Sequence, residues 1–177
     1  MRGMRGMRGM LAVAIAAGSV SVTPPPTTNS ASAYEHTGCS FRTDYRWHVD
    51  SVSSADEQAW RSALVDVAST DVDFQPARAG IETTVNLYTK NYGTTSWDGY
   101  AKWFNCTTSA VAYTNRDHTR SYSNTKKQAL AAHEIGHTVG LDHETGCVIM
   151  VDNTAKRSAC GLVKLTTDDR RGINALY

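Results

Sequence analysis

The chain has 177 residues, with 18 Lys and Arg against 17 Asp and Glu and 41% hydrophobic residues. That is enough for one domain with a substantial core and too few for two. A nearly balanced charge supplies no basic surface for nucleic acid or an anionic membrane, so neither is expected as a partner.

Residues 1–33 read as an export signal. Arg2, Arg5 and Arg8 form a positive start inside a repeated Met-Arg-Gly triplet, Leu11 to Val22 is apolar, and Ala31-Ser32-Ala33 offers a cleavage site before Tyr34. The apolar stretch, broken by Gly18 and Ser19, is too short to span a bilayer. A basic nucleic-acid arm is the rival reading of the arginines, and the apolar segment abutting them argues against it. Pro24 to Asn29 is low in complexity and cannot build a core. The expected division is therefore a signal peptide over 1–33 and one folded domain over 34–177, secreted and expected to be monomeric. Without its first 33 residues the chain keeps 15 Lys and Arg against 17 Asp and Glu, a formal charge of −2.

All four cysteines lie beyond residue 33. An even count in an exported chain reads as two disulfides, and four cysteines admit three pairings. Cys39–Cys106 and Cys147–Cys160 are the favoured pairs. A thiolate metal site is the alternative, but there is no Cys-x-x-Cys spacing to build it.

Tyr45 to Val49 alternates as a first strand should. A helix follows, with Ser54 to Glu57 read as a capping box and Trp60, Ala63, Leu64 and Val67 as its buried stripe. Ile81 to Tyr88, rich in β-branched residues, is the strongest strand candidate, with Ile81, Thr83, Val85 and Leu87 on one face. Residues 91–108 carry Gly93, Gly99 and many Thr and Ser, and read as a long surface loop; Trp97 and Trp103 are either a ligand platform or, the favoured reading, cover folded back over the core. Ser109 to Tyr113 is another strand, then polar turns run to Asn124. A second long helix is expected from Thr125 to Val139, apolar on much of its circumference. After His143 the chain reads as irregular until a last helix from Thr167 to Tyr177, with Asp168 and Asp169 in its first turn, where carboxylates favour the helix dipole.

The second helix carries the chemistry. His133 to His143 reads H-E-I-G-H-T-V-G-L-D-H and holds three of the six histidines. His133 and His137, four apart on a helix, share one face and can point at a common ion. Glu134, beside the first of them, can reach the open side of that ion as a general base. On a continuous helix His143 would lie roughly 15 Å beyond His133, whereas a zinc–nitrogen bond is about 2 Å. The chain must turn back, and Gly140 is where a residue free to take positive φ would end the helix. A bare H-E-x-x-H arises by chance on amphipathic helices; the added Gly140 and His143 at these offsets make coincidence a poor explanation. His36, His48 and His118 have no such partner spacing, and Asp142 reads as a turn residue.

The same residues resemble the extended zinc signature of the metzincin metallopeptidases. Cys147-Val148-Ile149-Met150 looks like their Met-turn, and Leu165 to Tyr177 (L-T-T-D-D-R-R-G-I-N-A-L-Y) is similar to the last helix of the matrixin branch. The resemblance covers about residues 45–177. It implies an α+β fold: a twisted mixed sheet, two long helices, a zinc cleft, a Met-turn and a C-terminal helix. There are departures. Neither a cysteine-switch segment nor a propeptide of the animal matrixin kind is expected, nor a histidine-rich segment for a second zinc, acidic calcium loops or a haemopexin-like extension. Val151-Asp152-Asn153 lacks the Pro and Tyr usual after that methionine. Short secreted proteases resembling snapalysin are a neighbouring comparison, with similar cysteines around Met150, but they carry Asp as third ligand where this chain has His143.

The expected function is secreted zinc-dependent endopeptidase activity on protein or peptide substrates. His133, His137 and His143 would hold one Zn2+, and Glu134 would act as base toward a zinc-activated water. Calcium is allowed but not indicated. No basic side chain or tyrosine is placed by the sequence to help stabilise the oxyanion. The Ser109–Tyr113 strand is the candidate upper rim for an extended substrate, Val148 to Asn153 would line the pocket after the cleaved bond by resemblance, and Met150 is packing beneath the site. Two rivals stand beside this reading: a zinc hydrolase or toxin-like protein acting on a non-peptide substrate, and a non-catalytic binding module. The intact Glu134 argues against the second.

Overall fold

The computed structural model describes residues 34–41, 45–79 and 84–177, so the expected signal segment lies outside the described residues, as do Ile81 and Thr83. Five strands form one mixed sheet in the order β2-β1-β3-β5-β4. They are β1 (Tyr45–Ser51), β2 (Phe74–Pro76), β3 (Val85–Lys90), β4 (Gly99–Asn105) and β5 (Ser109–Asn115). All neighbours pair in parallel except β4, which runs antiparallel to β5 at the sheet edge. The helices are α1 (Ser54–Val67), α2 (Arg116–Thr119), α3 (Asn124–Thr138), α4 (Thr154–Ala159) and α5 (Thr167–Asn174). This is the α+β architecture the resemblance implied.

The long helices α1 and α3 bury their apolar stripes against the sheet and each other, with Trp60, Ala63, Leu64 and Val67 from α1 and Ala129, Ala132 and Ile135 from α3 all in the core. Trp60 keeps its indole N–H satisfied by donating to Thr89 Oγ1 at 2.8 Å. Asp56, buried near the start of α1, accepts from Lys127 Nζ of α3 at 2.6 Å and so ties the two helices together at one end. Among the described residues no helix is long and apolar enough to cross a membrane.

Several local expectations are corrected. The N-cap of α1 is Ser53, not Ser54: its side chain accepts from Asp56 N, while Glu57 instead pairs with Arg61 one turn on. In the run Ser53-Ser54 either hydroxyl could cap, and the register follows from Asp56 being drawn inward to Lys127. The strand placed at Ile81–Tyr88 runs Val85–Lys90. The supposed loop 91–108 contains β4, whose alternation of Tyr100, Lys102 and Phe104 against Ala101 and Trp103 was masked by flanking Gly and Thr. The segment after His143 holds the one-and-a-half-turn helix α4, capped by Asn153. The last helix stops at Asn174, because Tyr177 is needed elsewhere: its hydroxyl accepts from Phe41 N and meets Tyr45 in the core. Trp103 does cover the core, donating to His137 O at 3.0 Å, and both Trp97 and Trp103 line the cleft.

Both disulfides pair as expected. Cys39–Cys106 joins the N-terminal segment to the end of β4, with Cα atoms 4.6 Å apart, and Cys147–Cys160 spans the turn after His143 to the end of α4 at 5.7 Å.

Candidate metal centre

Helix α3 delivers His133, Glu134 and His137, then ends in two hydrogen bonds that reverse the chain. Leu141 N donates to Gly136 O and Gly140 N to His137 O, the paired closure of a Schellman motif. Gly140 is required twice: its φ is +102°, and a Cβ there would sit 2.5 Å from the Cys39 carbonyl oxygen. The N-terminal segment braces the returning strand, with Thr37 N donating to Gly140 O and Asp142 N to Glu35 O. This returns His143 to the two helical histidines.

One ring nitrogen from each of His133, His137 and His143 lies within 4.8 Å of the others. His133 Nδ1 faces Ile149 O at 2.9 Å and His137 Nδ1 faces Leu141 O at 2.8 Å. Those carbonyls can only accept, so both Nδ1 atoms carry the proton and both Nε2 lone pairs are free. The two Nε2 atoms are 3.2 Å apart. Two nitrogens bound at about 2 Å to one tetrahedral ion would stand roughly 3.3 Å apart, so the donor set fits zinc. Burial lowers the pKa of both helical imidazoles, His137 to about 4, which keeps them neutral at physiological pH. His143 is solvent-exposed.

The turn Val148–Val151 closes the floor. Met150 is buried with its sulfur against Gly136, where a Cβ would come within 2.3 Å; the Gly of H-E-I-G-H is thus dictated by packing. Asp169, expected only to favour a helix dipole, has a larger role. From the start of α5 its carboxylate accepts from Ile149 N at 3.0 Å, Met150 N at 3.2 Å and Thr166 N at 2.7 Å. It therefore holds the turn whose Ile149 carbonyl orients His133.

Glu134 is buried at 3% exposure, and burial pushes its carboxyl up to about 8; nearby Asp98 adds to this and Arg157 opposes it. It lines a cleft of about 410 Å³ together with the three histidines, Asp98 and Arg157. Sequence reasoning missed Arg157. On α4, 2% exposed, it donates to Val151 O and Thr154 Oγ1 while its Nε has no partner. A buried arginine on a short helix carries no periodic signal, so nothing in the sequence marked it. Asp142 caps its own turn through His143 N and also lines the cleft; His36 and His118 lie outside the cluster, bound to Gly172 O and Thr95 N.

The expected upper rim is corrected. Strand β5 has β3 on one side and β4 on the other, so no edge is left for a substrate. The edge strand is β4, and Gly99, Tyr100, Ala101 and Trp103 of β4 line the cleft.

A comparison with curated proteins returned no match. The profile of the matrixin peptidases matches residues 29–177, a span that includes every element described above. With the histidine cluster, the turn beneath it and the mixed sheet in place, the chain belongs to the matrixin family.

Proposed function

We propose that the protein is a secreted zinc-dependent endopeptidase in which His133, His137 and His143 hold the ion and Glu134 is the general base. The observation that carries this is the convergence of three imidazole nitrogens within 4.8 Å beside a buried carboxylate in an open cleft. When bound there, zinc supplies a Lewis acid that brings the pKa of water down to about 7 and takes up charge from the scissile carbonyl oxygen.

The remaining work falls to the chain. Glu134 sits in a dry site that raises its proton affinity toward the working pH, as suits a group that takes a proton from attacking water and passes it to the leaving amine. Ile149 and Leu141 carbonyls fix the tautomers of His133 and His137, so that both present Nε2 without rearrangement. The open edge of β4 offers backbone groups to an extended peptide laid along the cleft. Arg157, at the cleft wall with an unpartnered N–H, supplies a fixed positive charge there.

Glu134→Gln tests the assignment. The variant should bind zinc at parental stoichiometry, measured by elemental analysis, yet lose at least about 100-fold in kcat on casein or gelatin. Equal turnover in parent and variant excludes Glu134 as base. Parental activity that survives exhaustive chelation excludes the metal.

A further inference from the structure

The outer face of the sheet, opposite α1 and α3, carries a row of aromatic side chains that the catalytic reading does not use. Pairing places Tyr88 of β3 opposite Tyr113 of β5, and Tyr113 opposite Tyr100 of β4. Their strand neighbours Leu87, Thr89, Ala112 and Thr114 face the helices and are buried, whereas Tyr88 and Tyr113 are half-buried and Tyr100 is 45% exposed. The rings stand side by side. Tyr88 and Tyr113 have centroids 5.6 Å apart at 20°, and Tyr113 and Tyr100 lie 6.4 Å apart at 11°. Tyr92 and Trp97 extend the surface, Tyr92 edge-on to Tyr113 at 5.6 Å and Trp97 against Tyr100 at 5.9 Å.

This surface is continuous with the cleft, because Trp97 and Tyr100 belong to both. At its far end Lys90 is already paired with Asp50 at 2.7 Å, and beside Tyr100 on β4 Lys102 lies over the Phe104 ring at 4.6 Å, so the surface is mainly aromatic and not a cluster of like charges. The rings stack on one another, so they present edges and hydroxyls in place of the flat open faces on which a sugar would stack. Ring edges and hydroxyl donors suit a polypeptide, whose proline and aromatic side chains pack against the rings while its carbonyls accept from phenols.

We propose that this row is an exosite for the polypeptide being cleaved. The substrate leaves the cleft past Trp97 and Tyr100 and lays proline, aromatic or aliphatic side chains across Tyr113 and Tyr88. Two strand spacings, about 10 Å, correspond to roughly three further extended residues. The inference rests on the peptidase reading and deepens it: efficient substrates are long and rich in proline and aromatic residues around the cleavage point.

The test compares the full chain with a Tyr88→Thr/Tyr113→Thr double variant, in which Thr preserves β propensity. Two substrates are used: a fluorogenic peptide of about six residues that fills only the cleft, and the same peptide lengthened on each side by proline- and phenylalanine-containing extensions. The expected result is a loss of about tenfold in kcat/KM on the long substrate, through KM, equivalent to roughly 1.4 kcal/mol, with the short one within about twofold. Equal effects on both substrates, or on neither, overturn the exosite. So does a shift from dimer to monomer in sedimentation, which assigns the face to a second copy, or altered protection of residues 1–33 alone, which assigns it to that segment. If the double variant does not fold, the parent still decides. A free peptide of the extension sequence should slow casein cleavage without slowing the short substrate, and failure to do so overturns the proposal. A parent that cleaves neither peptide nor casein refutes the peptidase reading itself, an outcome distinct from cleavage of both with no dependence on the row.

Discussion

Gly99→Ala is the sharpest probe of how the sheet positions Glu134, the proposed base. Gly99 opens β4 directly over Glu134, and a Cβ built there lies 2.2 Å from Glu134 Oε1, 2.7 Å from its Cδ and 2.8 Å from Leu130 Cδ1. Ordinary contact needs about 3.5 Å, so the carboxylate must move by at least about 1 Å. Glu134 and Leu130 are both buried, and the cleft that Glu134 lines is the open space toward which its carboxylate would be displaced. A displacement of that size is worth on the order of 100-fold in rate, or roughly 2.7 kcal/mol of barrier. Stability should change by a net cost of between about 0 and 2.5 kcal/mol, which the thermal midpoint separates from the loss of rate. Gly99 has no positive φ, and Ala gains about 0.5–1 kcal/mol over Gly within a strand, against a crowding cost of about 1–3 kcal/mol. The assay is kcat and KM on a quenched fluorescent peptide, alongside zinc content and thermal midpoint. A folded, zinc-loaded Gly99→Ala enzyme with kcat within twofold of the parent would show that β4 does not hold the base in its working position.

Other perturbations test the supports. Asp169→Ala leaves the Ile149, Met150 and Thr166 amides without their acceptor and should cost about 3 kcal/mol or more, seen as a lower urea midpoint and weaker zinc binding; an unchanged midpoint contradicts the role given to Asp169. Replacing Cys147 and Cys160 together by Ser opens a loop of sequence separation 13 and should remove about 3 kcal/mol, with denaturation in the presence and absence of reductant as the check. In chelator-treated protein, His137 accepts a proton only near pH 4 because it is desolvated, whereas an unfolded imidazole does so near about 6.5. Its contribution to stability is therefore complete above about 6.5 and declines as the pH falls toward 4. Buried Glu134, raised to about 8, shifts stability the opposite way across this window. Urea midpoints are therefore compared in chelator-treated Glu134→Gln protein, where pH 5 should be less stable than pH 7, and a flat profile there would contradict the burial of His137.

The zinc motif is legible in the amino-acid sequence because each of its demands is local: the i, i+4 step from His133 to His137 places them about one helical turn apart, and Gly140 releases the chain so that His143 can return. Helices α1 and α3 are legible for the same reason, their apolar residues recurring at helical spacing. Strand β4 is not, since an edge strand needs only one apolar face and its flanking glycines and threonines look like those of a loop. Arg157 and Asp169 are beyond reach, because a buried charge is defined by what surrounds it: Arg157 stands near Glu134 and Asp98, and Asp169 holds the Ile149 and Met150 amides, all distant in sequence.

Local spacing, set by the 3.6-residue turn and the few residues able to reverse a chain, determined which side chains could meet at one ion. Tertiary packing alone decided which strand stands at the rim, what holds the turn under the histidines and how deeply Glu134 is buried, because solvent exclusion and edge position belong to the assembled layers and to no single segment.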